Sequence, residues 1–63
     1  MEKLFLRVEE AAELLSLGRS KVYQLIAAGE LRAVKIGRAT RVPTEAVREY
    51  AKRQVAQQRS GAA

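Results

Sequence analysis

Two short apolar periodicities, separated by only three residues, constrain the fold of this chain more than any other feature of its sequence. In the first, apolar residues recur at helical spacing over residues 8–17, and glutamates occupy the opposite side. The second pattern begins at Arg19 and stops before Gly29, a residue typical of helix C-termini. The sequence therefore predicts two short helices joined by a tight turn at residues 16–18. The predicted apolar side of the first helix consists of Val8, Ala11, Ala12, Leu14 and Leu15.

The start of the first helix carries opposing signals. Glu9 and Glu10 lie in its first turn, where negative charge favours the positive end of the helix dipole. Arg7, which precedes the helix, is a poor N-cap residue. We therefore expect this end of the helix to fray.

The second helix is predicted to bury one face and to expose the other. At about 100° per residue, Val22, Leu25 and Ile26 fall on one side and form the buried stripe. Arg19 and Lys21 flank the opposite side at the N-terminal end of the helix. That exposed side consists of Ser20, Tyr23, Gln24 and Ala27. The helix thus presents small and hydrogen-bonding side chains with a cation on either flank.

The rest of the chain is predicted to form a β-hairpin followed by a third helix. β-branched residues are enriched in residues 31–42, around a turn-like segment at residues 37–40. Pro43 ends the second strand, and Thr44 is a good N-cap for a helix that opens at Glu45. The apolar side of this helix is predicted to contain Val47, Tyr50, Ala51 and Val55. The predicted fold is therefore mainly α with a small β-hairpin, in the order helix, tight turn, helix, hairpin, helix.

Length and composition narrow the range of functions. A chain of 63 residues can hold one small core, which we place in residues 1–57, with a flexible C-terminal tail at residues 58–63. The absence of His and Cys removes the commonest general base, the thiol nucleophile and nearly every ordinary zinc site. No apolar run approaches the roughly 20 residues that span a bilayer. We therefore expect no enzyme activity, no cofactor, no metal, no small-molecule substrate and no membrane partner.

Positive charge is concentrated in the middle of the chain. The whole sequence has 12 Lys and Arg against 7 Asp and Glu, for a net charge of +5. Residues 19–41 alone contain six basic residues and one acidic residue. Such an excess on one segment favours a polyanionic partner that docks there. Solubility of a small basic protein is the alternative explanation for these charges.

Two helices joined by a glycine-containing turn are the unit of helix-turn-helix DNA-binding proteins, in which the second helix lies in the major groove. Ser20 and Gln24 on the exposed side of the second helix can hydrogen-bond base edges, and Gln suits a bidentate contact with adenine. Ala27 permits close approach or contact with a thymine methyl group. The alternative is that Ser20 is merely a residue of the first turn of the helix and that Gln24 is an ordinary solvated helix residue.

Two residues that border this exposed side, and the tyrosine on it, are predicted to contact the DNA backbone. Arg19 and Lys21 are placed to reach the phosphates on either side of the groove, and the helix N-terminus points at one of them. Tyr23 is expected to pack its ring and to hydrogen-bond a phosphate rather than a base. These contacts would set the position of the protein on the duplex.

The predicted hairpin carries three cations around its turn: Lys35, Arg38 and Arg41. A narrow, positively charged tip suits a minor groove, where an inserted Arg gains from the enhanced negative potential, or the phosphate backbone. A solvated hairpin Arg is the alternative. The cations of the third helix, in contrast, are predicted to face solvent: Arg48, Lys52 and Arg53.

The ordered series of motifs from Leu6 to Tyr50 resembles the excisionase family of winged helix-turn-helix domains, which is related to the DNA-binding domains of MerR-type regulators. The motifs that carry the resemblance are VEEAAELL from Val8, RSKVYQLI from Arg19, GEL from Gly29, VKIGR from Val34 and RVP from Arg41. The resemblance implies that the second helix enters the major groove and that the hairpin, or wing, enters the adjacent minor groove. The DNA-facing positions of the family correspond to Ser20, Lys21, Tyr23, Gln24, Ala27, Arg38, Thr40 and Arg41.

We therefore predict a protein that binds double-stranded DNA sequence-specifically. We expect it to act as an excisionase, a recombination directionality factor that binds and bends DNA near an attachment site. Its expected partners are DNA, an integrase or recombinase, and further copies of itself bound cooperatively on DNA. We expect a cytoplasmic, nucleoid-associated protein. Two alternatives stay open: a promoter-binding transcription regulator of the same fold, and a protein-interaction adaptor that uses the same basic face.

Overall fold

The computed structural model describes residues 2–61, which form three helices and a three-stranded antiparallel sheet. The elements in chain order are β1 (Phe5–Leu6), α1 (Val8–Leu15), α2 (Arg19–Ala27), β2 (Val34–Ile36), β3 (Ala39–Pro43) and α3 (Thr44–Gly61). The predicted fold class, mainly α with a small hairpin, is confirmed, and the arrangement is that of a winged helix-turn-helix. Within residues 2–61, no helix has the length and apolarity that a membrane span requires.

The first turn of α1 is held by Glu10 rather than by its N-cap residue. The Glu10 carboxylate accepts a hydrogen bond from the backbone N–H of Arg7 at 2.8 Å and forms an ion pair with Lys3. The bond from Lys3 and the bond from Arg7 both favour the ionised carboxylate, so they hold the pKa of Glu10 below its usual range. One half of a capping box therefore reinforces the helix start that Arg7 was predicted to weaken.

The tight turn between α1 and α2 depends on the conformation of Ser16. Helix α1 ends at Leu15, directly before the predicted turn at residues 16–18, because Ser16 adopts the left-handed conformation with φ of 56°. The Ser16 N–H donates to the Glu13 carbonyl at 3.1 Å, and the Leu17 N–H donates to the Ala12 carbonyl at 2.9 Å. Leu17 then packs against the core. The chain reverses at a serine, and Gly18 beyond it is ordinary extended backbone.

Replacing Ser16 with glycine is expected to stabilise the protein by about 0.5–1 kcal/mol, because glycine adopts a positive φ without the Cβ clash that serine incurs. In a domain of this size, each kcal/mol raises the melting temperature by about 4–8 °C. Thermal unfolding followed by circular dichroism measures the change. Ser16→Ala keeps the Cβ atom and serves as the matched control, with no gain expected. An unchanged or lower melting temperature for Ser16→Gly would contradict the proposed cause of the turn.

The sheet contains a strand that was not predicted. The strand order in the sheet is β1-β3-β2, so β3 pairs with a neighbour on both sides. Leu6 of β1 lies opposite Val42, and Phe5 lies opposite Pro43. Thr44 lies inside α3 rather than capping it, and its hydroxyl donates to the Lys3 carbonyl, which ties the N-terminal segment to α3. A strand of two residues is too short to show a periodicity in the sequence. It forms because β3, far along the chain, pairs with it.

The core lies between the helices and the inner face of the sheet. Leu31, Val22 and Val42 are its largest fully buried side chains. Of the predicted stripe on α2, Val22 and Leu25 are buried and Ile26 is partly buried.

Three residues predicted for the apolar sides of the helices lie outside this core. Leu14 is 63% exposed, because the buried side of α1 is narrower than predicted and consists of Val8, Ala11 and Ala12. Val55 is exposed because the buried residues of α3 lie in its N-terminal half, and Ala51 is exposed because it lies beside the buried stripe of Ala46, Val47 and Tyr50. Helix α3 also continues through Gly61, past the predicted domain boundary at residue 57. Residues 62 and 63 lie outside the described residues, and the division of the chain at residue 57 stays a prediction.

Candidate nucleic-acid interface

Helix α2 presents one exposed face, held outward by the burial of the opposite face. Val22 is fully buried and Leu25 is 5% exposed, so the rotation of α2 about its axis is set by the core. The face that this rotation exposes, here called the α2 face, consists of Ser20, Tyr23, Gln24 and Ala27, with Arg19 and Lys21 at its N-terminal border, and all six are exposed. The predicted grouping of these residues on one exposed surface is confirmed.

The N-terminal end of α2 favours negative charge. Its N-cap residue is Gly18, which has an extended backbone. Glycine has no side chain that could accept a hydrogen bond from the first N–H groups of the helix. The first turn contains no acidic residue, and Arg19 and Lys21 lie in it. The partial positive charge of the helix end therefore adds to two side-chain charges. This end of α2 is suited to a phosphate.

The wing, residues 34–43, ends in a two-residue turn. Ile36 pairs with Ala39, which leaves Gly37 and Arg38 at the tip. Gly37 has φ of 63°, a conformation that glycine adopts without strain and that suits tight hairpins. The turn is shorter than the four residues predicted, and it places the exposed Arg38 at the end of the wing.

The remaining predicted wing residues divide between its two faces. Lys35 is paired with Thr40, and both lie on the face that carries Val42 into the core. Arg41 is paired with Val34 on the opposite face, and its Nη1 donates to the Thr40 carbonyl at 3.0 Å. Alternation along a strand makes this division unavoidable. The wing therefore carries a cation at its tip and on each face.

The α2 face and the wing are fixed to the same core through the connection, residues 28–33. Gly29, with φ of 77°, follows the end of α2 as predicted. Leu31 is 1% exposed, and its N–H donates to the Leu25 carbonyl at 3.2 Å. The connection is therefore anchored in the core between the two exposed elements.

One cation of α3 has a role that the sequence did not indicate. Arg48, Lys52 and Arg53 are exposed, as predicted. Arg53 nevertheless donates from Nη2 to the Glu30 carbonyl at 2.7 Å, and its guanidinium lies 5.9 Å from the centre of the Tyr50 ring. Because the two bonded residues are 23 positions apart, no local pattern could have revealed the contact.

Comparison with known proteins agrees with this geometry. Residues 5–55 match the family described as helix-turn-helix domain. The chain is 52% identical over 56 residues to a probable excisionase of Saccharopolyspora erythraea, covering 89% of this chain and 57% of that protein. It is 51% identical over 45 residues to an excisionase of Streptomyces ambofaciens, covering 71% of this chain and 73% of that protein. No solved structure matches significantly.

The chain spans less than two thirds of the Saccharopolyspora protein but nearly three quarters of the Streptomyces protein. The identity exceeds one half in both cases, and the family match covers both α2 and the wing. The resemblance inferred from the motifs is thereby confirmed. Helix-turn-helix excisionases are a DNA-binding, non-catalytic kind of protein. This chain belongs to the excisionase family of DNA-binding helix-turn-helix domains.

Proposed function

We propose that the protein is an excisionase that binds double-stranded DNA beside an attachment site, with the α2 face in the major groove and the wing in the adjacent minor groove. The observation that carries this proposal is that core packing holds the α2 face outward while the wing carries cations at its tip and on both faces. The identity to two excisionases supports the role in recombination.

Base recognition is assigned to the α2 face. Gln24 offers an amide that can pair with the N6 and N7 atoms of adenine, and Ser20 offers a hydroxyl that suits several bases. Ala27, on the same side, leaves room for the groove floor or for a thymine methyl group. These three residues provide the sequence dependence of binding.

Phosphate contacts set the position of the protein on the duplex. Arg19 and Lys21, at the N-terminal border of the α2 face, contact the phosphates on the two walls of the major groove. The Tyr23 hydroxyl donates a hydrogen bond to a phosphate oxygen of the DNA backbone. On the wing, Arg38 enters the minor groove, and Lys35, Thr40 and Arg41 contact its walls.

Bending follows from simultaneous occupation of adjacent grooves. Neutralising phosphates on one side of the duplex and widening or narrowing the minor groove both favour curvature. One module of this size buries roughly 600–1,000 Å² on DNA, so a single copy binds modestly. Further copies on adjacent sites, or the integrase of the same element, supply the additional free energy.

The assignment of roles is tested with Gln24→Ala and Lys21→Ala on the preferred duplex, selected from a random pool, and on a scrambled duplex. Gln24→Ala is expected to cost about 1–3 kcal/mol on the preferred duplex and almost nothing on the scrambled one. Lys21→Ala is expected to weaken both by similar factors, because it removes a phosphate contact and no base contact. Fluorescence anisotropy titrations measure six dissociation constants, for the parent and both variants on each duplex.

Lys21→Ala also serves as the matched control, since both variants change an exposed residue of α2. Equal losses for Gln24→Ala on both duplexes, with the variants still folded, would mean that the α2 face does not recognise bases. The recombination role is tested separately by adding the protein to the integrase of its element and a plasmid that carries both attachment sites. Excision should increase with the parent and increase much less with Gln24→Ala.

A further inference from the structure

The connection is the joint between the two proposed DNA-contacting elements. It leaves α2 through Gly29, and the N–H groups of Glu30 and Leu31 both donate to the Leu25 carbonyl, at 2.9 and 3.2 Å. Leu31 alone is buried in this segment, and Glu30 and Arg32 on either side of it are exposed. Leu31 and the partly buried Ala33 pack the connection against the core, but neither side chain restrains the exposed Glu30 that precedes them.

Arg53 attaches the connection to α3. A cleft separates the connection from α3, with Glu30 and Arg32 on one wall and Lys52 and Arg53 on the other. Arg53 crosses this cleft to donate to the Glu30 carbonyl at 2.7 Å, and its guanidinium lies 5.9 Å from the ring centre of Tyr50, which is 7% exposed. Of the side chains that the structure describes, it is the one on α3 that hydrogen-bonds to the connection.

The properties of arginine suit this attachment. Its planar guanidinium can lie near an aromatic ring while its outer N–H groups donate elsewhere, which a lysine ammonium does not combine as well. Because the acceptor is a backbone carbonyl, the bond constrains the path of the chain and not only a side chain. Because Arg53 is exposed, the bond adds little to the stability of the core.

We propose that Arg53 is a positioning residue that sets the orientation of the wing relative to the α2 face, without itself touching DNA. The inference rests on the proposed function, because it concerns the simultaneous docking of both elements in adjacent grooves. Without the Arg53 side chain, the connection and the edge strand β2 that follows it sample a wider range of positions, and fewer of them place both elements correctly. The affinity for the preferred duplex is proportional to the fraction of molecules in which both elements can dock, so it falls as that fraction falls.

The test combines Arg53→Ala with a disabled wing, Arg38→Ala, and uses Lys52→Ala as the matched control. Lys52 is adjacent, exposed and carries the same charge. In the parent, Arg53→Ala is expected to weaken binding to the preferred duplex about three- to tenfold. In a protein that already carries Arg38→Ala, the same change is expected to weaken binding by less than about twofold. Such non-additivity is the coupling expected of residues that act together. Lys52→Ala is expected to change binding by less than about twofold. The salt dependence of binding should be the same for Arg53→Ala as for the parent.

Thermal unfolding is measured for every variant. Arg53→Met keeps the aliphatic stem over Tyr50 without a donor and is expected to reproduce the result of Arg53→Ala, so the test does not depend on one substitution. Equal losses with and without the Arg38 change would overturn the proposal, as would unchanged binding. A salt dependence reduced by about one phosphate would also overturn it, because Arg53 would then contact DNA directly. If Gln24→Ala and Arg38→Ala also have no effect on the preferred duplex, the proposed function fails; if only Arg53→Ala has none, this inference alone fails.

Discussion

Raising the salt concentration from 50 to 200 mM is expected to weaken binding to any duplex about 250- to 1,000-fold, since about five phosphates are neutralised and each contributes about 0.9 to the slope of log K against log salt. The expected slope is therefore about −4 to −5. Five cations on the border of the α2 face and on the wing are expected to neutralise these phosphates. Arg41 is half-buried, and the other four are exposed. Anisotropy titrations at four or more salt concentrations measure the slope. The five cations are Arg19, Lys21, Lys35, Arg38 and Arg41.

Removal of single charges locates the contacts. Lys21→Ala should reduce the slope by about one unit. Arg48→Ala should leave it unchanged, because Arg48 is ion-paired with Glu2 and lies beside Glu45 on α3. A parent slope shallower than about −2 would exclude this docking surface. Failure to bind any duplex at low salt would favour the adaptor alternative instead.

Replacing Leu31 with alanine is expected to cost about 2–5 kcal/mol of the free energy of unfolding, because Leu31 is the largest of the fully buried side chains and its removal leaves a cavity. A domain of this length has a total stability of roughly 3–9 kcal/mol at about 0.05–0.15 kcal/mol per residue. The variant should therefore melt at least about 10 °C below the parent, or not fold cooperatively. Its DNA binding should be lost with its fold.

Leu14→Ala is the matched control, since the same residue type changes where the side chain is 63% exposed. Its stability should stay within about 0.5 kcal/mol of the parent. Urea titrations and thermal melts provide the two free energies of unfolding. Comparable effects of the two substitutions would show that the core has been assigned incorrectly. The comparison also separates loss of binding through unfolding from loss of a DNA contact.

The sequence determined the elements whose signals are local. The period of 3.6 residues separated Val22 and Leu25 from Ser20 and Gln24, and the core then held α2 with the predicted side outward. Gly29 and Gly37 marked a helix end and a hairpin turn, because both need a positive φ that glycine adopts without strain. Local periodicity and turn chemistry act within a few residues, so they can be inferred without knowing what lies across the core.

Which apolar residues are buried, and which distant groups meet, depended on how the elements pack against one another. Leu14 and Val55 fit helical patterns but lie outside the core, because the packed surface is narrower than the periodicity on α1 and ends before the distal half of α3. The strand at Phe5–Leu6 exists because β3 offers it an edge. Arg53 reaches the Glu30 carbonyl because packing brings α3 against the connection. Each of these contacts joins residues far apart in the chain, and periodicity carries no information about such pairs.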